Sequence, residues 1–434
     1  MATTRRTPLA VLAVVVVLAV LAALLTVLAS PGAADEHELW AMDQGTDLIH
    51  IYDANHDEVA TIDVSPPALR EVAPWYDPEG GVTVPHMVEF DSQGRYAFVA
   101  ATAGGVTLVI DAVERETVAV LDTGANTHMA AVAPDDDAVW VAAIDAEQMV
   151  EIPLDLDADE PEFATGRVID VDELLADSGY DYPSAGPVCH RFTQDGAEAW
   201  ITLGPGMREG GLIALDLETG ELANAWDPDE VRANCGIYVS EDGDRAIANW
   251  SGTFGDDPDH HDGVFYSFDV DTYELLDTDS SGGVDAHGVR LTPDGEHFWQ
   301  VNRGSDDGLV IDAETFEVVA DIPAAGSSPD ILDFSTDGAY AYVTQRGPTP
   351  LSGDPHVATG DDPGVAVIDT ETQEIVEVLR QPEVTDTDGQ VRNDVHGLAV
   401  RPDAGGRETV AAAPATVAAV APGTVALGCH LPAA

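Results

Sequence analysis

A strand that runs into a turn resembling x-P-D-G recurs seven times in this chain, and nothing else in the sequence constrains the fold as much. The stretches are HMVEFDSQG (His86 to Gly94), HMAAVAPDD (His128 to Asp136), VCHRFTQDG (Val188 to Gly196), CGIYVSEDG (Cys235 to Gly243), HGVRLTPDG (His287 to Gly295), DILDFSTDG (Asp330 to Gly338) and HGLAVRPDA (His396 to Ala404). Pro, Asp and Gly suit a type I turn whose final residue has positive φ, which closes a short hairpin. A second strand follows each turn, as in YAFVA, VWVAA and YAYVT. A third then ends in Asp, at Asp53, Asp111, Asp216, Asp312 and Asp369. A turn such as LETGEL leads into a fourth.

Four antiparallel strands recurring every 42 to 66 residues describe propeller blades. The segment Glu38 to Val64 supplies second, third and fourth strands only, and the repeat at His396 supplies a first strand. Together they make one mixed blade, so the two ends zip the ring shut and leave no open sheet edge. The expected class is all-β: a seven-bladed β-propeller spanning residues 35–404, four antiparallel strands per blade. Insertions are expected at Asp155 to Gly186 and at Arg346 to Gly364. Trp140, Trp200, Trp250 and Trp299 fall on second strands and are expected in the packing between blades.

The charge balance narrows the partners. Asp plus Glu number 80 against 17 Lys plus Arg, a formal net charge of -63. Such a surface repels phosphate backbones and anionic lipid, which argues against nucleic acid and leaves the membrane only to the N-terminal segment. Disorder does not fit, because 45% of residues are hydrophobic and strand patterning is dense. In roughly molar salt the Debye length is about 3 Å, so self-repulsion is screened. The composition therefore suits a halophilic setting.

Residues 1–34 carry Arg5 and Arg6 before an apolar run from Pro8 to Ala29, then SPGAAD. This reads as a cleaved signal peptide or an N-terminal anchor. The body is accordingly expected outside the cell or at its surface, as a monomeric propeller. From Thr409 to Ala434 there is no Asp or Glu and no strand alternation. Residues 405–434 are expected to be a disordered extension or a frameshifted end, so Cys429 and His430 are not taken as ligands. Three cysteines are too few for a disulfide framework, but one Cys189–Cys235 bridge is possible in an oxidising exterior.

The stretches AYAYVTQRG, GLVIDAETFEVVADI and GVAVIDTETQEIVEVL resemble the YVTN or YncE-like seven-bladed propeller repeats of prokaryotic cell-surface and exported proteins. The resemblance covers about Glu38 to Asp403. It implies the fold and is nearly silent on function, since propellers host binders, hydrolases and redox enzymes alike.

Aligning the repeats on their turns places one residue of each blade at the start of the innermost strand: His86, His128, Val188, Cys235, His287, Asp330 and His396. Where the third blade offers Val188, His190 lies two residues on and on the same strand face. Histidine is 13 of 434 residues, yet takes four of these seven positions. Innermost strands line the central channel, so the expected site is a ring of metal-type ligands at the channel mouth: His86, His128, His190, Cys235, His287, Asp330 and His396. His with Cys suits copper or zinc more than calcium.

A single ion would use adjacent blades, for example His396, His86 and His128. Asn126, Asp285 and Asp394 lie two residues before ring histidines and are candidates for outer-shell acceptors. Arg303 and Arg346 end second strands at the same mouth, where they either hold an anionic substrate or pair with nearby Asp. His260, His261 and His356 read as exposed loop residues. In principle the arrangement is similar to nitrous oxide reductase, whose propeller histidines hold a copper cluster, but that family's second copper domain is missing here. A non-enzymatic binding or scaffolding propeller, taking a small molecule or a cell-surface protein, is the alternative. A lactonase-type hydrolase is weaker, because it wants a carboxylate and Asn cluster.

Overall fold

The computed structural model describes residues 37–401 except 159–160, 205–209, 241, 254–261 and 354. The N-terminal apolar run, the tail with Cys429 and His430, and His260 and His261 lie outside the described residues. No helix among the described residues is long and apolar enough to cross a membrane.

Seven four-stranded antiparallel sheets make up the described chain, with two short helices, α1 (Pro66–Val72) and α2 (Val171–Ser178). The architecture is a seven-bladed β-propeller. We number the blades by their inner strands: Pro85–Phe90 opens blade 1, Thr127–Val132 blade 2, Gly186–Phe192 blade 3, Ile237–Val239 blade 4, Ala286–Leu291 blade 5 and Pro329–Phe334 blade 6. Blade 7 is mixed. Its inner strand, Val395–Arg401, pairs antiparallel with Glu38–Asp43, which continues through Leu48–Asp53 to Glu58–Asp63. The ends therefore close the ring as the strand count demands.

The turn chemistry drives each first hairpin. Gly94, Asp136, Gly196, Gly243, Gly295 and Gly338 all have φ between 58° and 79°, the left-handed geometry that a type I turn followed by a bulge requires. Third strands end in Asp for a related reason. The Asp312 carboxylate accepts the backbone N–H groups of Glu314 and Thr315 and the Thr315 hydroxyl (3.1, 2.8 and 2.9 Å). Asp216, Asp269 and Asp369 repeat the contact with Thr219, Thr272 and Thr372.

Alternation then sorts the strands. The first three of each blade are largely buried and the fourth is largely exposed, as in Glu274–Ser280. Apolar faces of neighbouring blades meet in seams that run around the ring. Trp40 and Val99 mark the seam between blades 7 and 1, Phe98 and Val139 that between 1 and 2, and Trp200 anchors the largest, across blades 2 to 4. Trp299, Val365 and Phe298 mark the remaining ones. The four tryptophans expected in the packing between blades are all buried.

One boundary differs from expectation. The stretch Asp155 to Gly186 is only in part an insertion, because Val168–Asp170 is the outer strand of blade 2, pairing with Gln148–Val150. Asp170 also caps α2, accepting the Glu173 N–H at 2.9 Å. The second insertion folds over the channel: Leu351, Ser352 and Gly353 roof the mouth.

Candidate channel-mouth site

Six of the seven ring positions fall in a β-bulge; Cys235 lies just before its inner strand, Ile237–Val239, where the pairing is regular. Pairing between the first and second strands skips a register at Pro85/Met87, Thr127/Met129, Pro187/His190, Ala286/Val289 and Pro329/Leu332, and in blade 7 between the partners of Ala41 and Asp43. His86, His128, Val188, His287, Asp330 and His396 are the residues passed over. A bulge frees a side chain from the ladder and re-aims it, here toward the axis. His86, His128, Val188, Cys235, His287 and His396 thereby meet at one cavity of about 350 Å³, with Asn126, Asn234, Asp285 and Arg303 also on its wall.

The bulge also corrects the reading of His190. Alternation does not hold across the skipped residues, so His190 resumes the ladder opposite Ile201 and turns away from the mouth. It is fully buried between blades, its Nε2 lies 3.1 Å from the Trp140 carbonyl, and burial pushes its pKa down to about 3. Six of the seven expected residues are thus brought together, and His190 is not.

Hydrogen-bond partners fix which nitrogen of each imidazole is available. His128 Nδ1 donates to the Val188 carbonyl (2.9 Å) and His396 Nδ1 to the His86 carbonyl (3.2 Å). In both neutral rings the lone pair is therefore on Nε2. His86 is the reverse. Its Nδ1 accepts from the Gln44 amide at 2.5 Å, and Gln44 is oriented by the Ser352 hydroxyl and Arg346, which both donate to its oxygen. The His86 proton then sits on Nε2, which is buried without a partner. The rings are close: His86 stacks on His396 at 3.7 Å and meets His128 at 4.2 Å. Burial keeps all three neutral, with His128 pushed down to about 4 and the other two held well below the usual imidazole range.

Asp330 is the hub. It is completely buried, and its Oδ1 lies 2.9 Å from His287 Nε2. Its Oδ2 accepts from Arg346 Nη1 (2.6 Å) and Arg303 Nη1 (3.3 Å), and lies 3.6 Å from His396 Nε2. Burial alone would raise its pKa, but the two guanidiniums and His287 hold the carboxyl well below its ordinary value. Burial and Arg303 disfavour a protonated His287, yet Cys235 and Asp330 outweigh them and push its pKa up to about 9. One ligand atom each from His287, Asp330 and His396 lies within 4.8 Å of the others. These belong to blades 5, 6 and 7, rather than to the His396, His86 and His128 set that sequence suggests for a single ion. Cys235 Sγ is 3.2 Å from His287 Nε2 and extends the group.

The expected outer-shell residues do something else. Asn126 and Asp285 have φ of 57° and 64°, as do Val84 (58°) and Ser328 (50°) at the same place in blades 1 and 6. Position two before the ring is where the chain turns through the left-handed region, which Asn and Asp tolerate best. Asp285 binds Arg303 Nε (2.6 Å), and Asp394 binds Arg346 Nε and Nη2 (2.8 and 2.9 Å). Asn126 donates outward to Asp145. None of these contacts reaches a ring histidine. Of the two arginines, Arg346 is fully buried and held by carboxylates and Ser352, so it braces the site and has no surface to offer a substrate. Arg303 borders the cavity but is itself paired with Asp285 and Asp330.

Sequence reasoning missed Gln44 and Ser352, which orient His86, and a set of clamps between blades. Thr202, Asn249 and Thr344 donate to the carbonyls of Cys235 (2.9 Å), His287 (2.5 Å) and His396 (2.6 Å) on the next blade. All three occupy one place on the second strand, a signal that the repeat alignment contains. The Cys189–Cys235 bridge is not formed; both are buried free thiols. His356 lies in an exposed loop, as expected.

No family model matches the chain, so the YVTN resemblance has no support of that kind, and no curated protein matches either. Solved structures do match. One is a Kuenenia stuttgartiensis hydrazine synthase, 13% identical with a TM-score of 0.55, over 75% of this chain and 90% of that one. Another is the dihydro-heme d1 dehydrogenase NirN in complex with DHE, 15% identical with a TM-score of 0.51, over 83% and 74%. At these identities the likeness shows the propeller fold alone.

Proposed function

We propose that the channel mouth is a metal or redox-cofactor site, with His287, Asp330 and His396 as the holding residues and Cys235 as a fourth donor. One observation carries this. The neutral His396 ring points a lone pair at an ionised carboxylate 3.6 Å away, with its own proton committed to the His86 carbonyl. Two electron-rich atoms facing each other in a buried site call for a cation or a shared proton between them. With His287 neutral, as a metal ligand must be, three carboxylates (Asp285, Asp330, Asp394) would face two guanidiniums (Arg303, Arg346), leaving one negative charge for a cation. Imidazole with thiol and one carboxylate is a donor set for zinc or copper. Such an ion would supply Lewis-acid or electron-transfer chemistry. His86, with its unpartnered Nε2–H on the same wall, would hydrogen-bond whatever is presented to it. That one structural neighbour is solved with DHE keeps a haem-type cofactor within the proposal.

Elemental analysis and a visible spectrum of untagged protein test it. Stoichiometric zinc, copper or iron is expected, lost in His396→Ala and retained in His190→Ala. A metal-free, colourless protein that takes up no added zinc or copper would sink the reading. A second reading has its own support, because a protonated His287 closes the charge balance without a metal. The mouth would then be a polar seat for a small molecule or a cell-surface partner, and export would serve a binding rather than a catalytic role.

A further inference from the structure

We infer that Cys189 and Cys235 form a two-electron dithiol–disulfide couple across blades 3 and 4. It shares Cys235 with the metal reading but does not rest on a bound ion. The sequence has only one other cysteine, Cys429, outside the described residues. Cys189 and Cys235 line one cavity, and Thr202 holds their backbones together. Its Oγ1 accepts from Cys189 N (3.2 Å) and also contacts the Cys189 and Cys235 carbonyls (3.2 and 2.9 Å). The approach is therefore built by a side chain that belongs to neither cysteine's strand.

The pair is also placed where a small reagent can reach it. Cys235 borders both the mouth cavity and a second cavity of about 700 Å³, which Cys189 lines too and which opens among Glu89, Arg191, Tyr238 and Arg290. The couple thus sits between two cavities of the channel. Closing the bridge would withdraw the Cys235 sulfur from His287 Nε2, the one contact of the pair with the histidine cluster.

A small-molecule disulfide, RSSR, is the oxidant this chemistry needs. Cys235 Sγ attacks one of its sulfurs, the S–S bond breaks, and the Cys235 proton leaves on the first RSH. Cys189 Sγ then attacks the protein-bound sulfur of the mixed disulfide, and its proton leaves on the second RSH. Two electrons pass from the protein to the small disulfide, and a small thiol in excess reverses both steps.

The test uses the full-length Cys429→Ser protein with a chelator present, incubated folded with oxidised glutathione. Loss of both thiols, an intact mass lower by two hydrogens, and one cross-linked peptide joining Cys189 to Cys235 are expected. Cys189→Ser should stop at a glutathione adduct on Cys235. Thr202→Val keeps both thiols and should close several-fold more slowly. Two thiols that persist in the folded protein under conditions that oxidise the unfolded chain would overturn the inference. So would a wild-type adduct that never resolves into a bridge. Both outcomes are read on wild-type cysteines and do not depend on either variant folding.

Discussion

Asp330 shows how much of this site rests on one side chain. It holds two guanidiniums and two imidazoles from three blades with no exposure to water. Removing one partner of a buried ionic set leaves the others uncompensated and costs about 3–5 kcal/mol. Asp330→Asn is expected to lower stability by that amount in denaturant titration, even in metal-free protein. His86→Gln, which keeps a donor near the wall, should cost far less and leave metal content unchanged. The residue scale is also where the sequence was least legible. Histidines at equivalent positions pointed to the ring, and six of its seven members do meet. What each nitrogen does depends on carbonyls and amides of other blades, such as Val188 O and the Gln44 amide. Spacing within one strand carries no record of those. His190 failed for a related reason, because a period-two argument cannot foresee the extra residue in a bulge.

Among the elements, the inner strands are bound by what surrounds them. A Cβ on Gly288 would lie 2.3 Å from the Asp330 carbonyl oxygen, and one on Gly397 would lie 1.9 Å from that of His86. The glycine after the ring residue is thus required by the next blade's backbone, which is the meaning of the repeated His-Gly. Gly288→Ala should destabilise by about 1–3 kcal/mol, the cost of overpacking, and displace His287 and Asp330 together. A lower melting temperature with altered histidine NMR signals would show it. The turns make a separate prediction. Asp216 and Asp312 have pKa values below the ordinary carboxylate value because Thr219 and Thr315 hydrogen-bond to them. A lowered folded pKa gives stability that is present above the unfolded value and lost as pH falls through the folded one. In high salt, acid unfolding should set in below about pH 4, and Asp312→Ala should flatten its pH dependence. These turns were readable in the sequence because their chemistry is local; the repeat marks the position of the clamps by Thr202 and Thr344 but not their partners, which are a blade away.

Taken whole, the molecule is a ring whose closure was countable before its shape was known. Seven first strands, and a leading segment one strand short, leave only the pairing of Glu38–Asp43 with Val395–Arg401. Truncation at Asn393 should therefore abolish cooperative unfolding rather than trim it, because blade 7 loses its inner strand and blades 6 and 1 lose a shared neighbour. A net charge of -63 adds a condition. Melting temperature should climb between about 0.1 M and 1 M salt as the Debye length shrinks from about 10 Å to 3 Å. A salt-independent transition would argue against the halophilic setting that we propose.

That closure also sets an order of events. His396 lies on the last inner strand of the chain, whereas its companions Asp330 and His287 precede it in sequence. During synthesis six blades' worth of chain is complete before the third holding residue exists. If the mouth holds a metal as proposed, its full set of ligands is assembled only once the ring has shut. Occupancy of the mouth would then report finished folding, and a chain cut short before Val395–Arg401 would lack His396 and be expected to bind no metal.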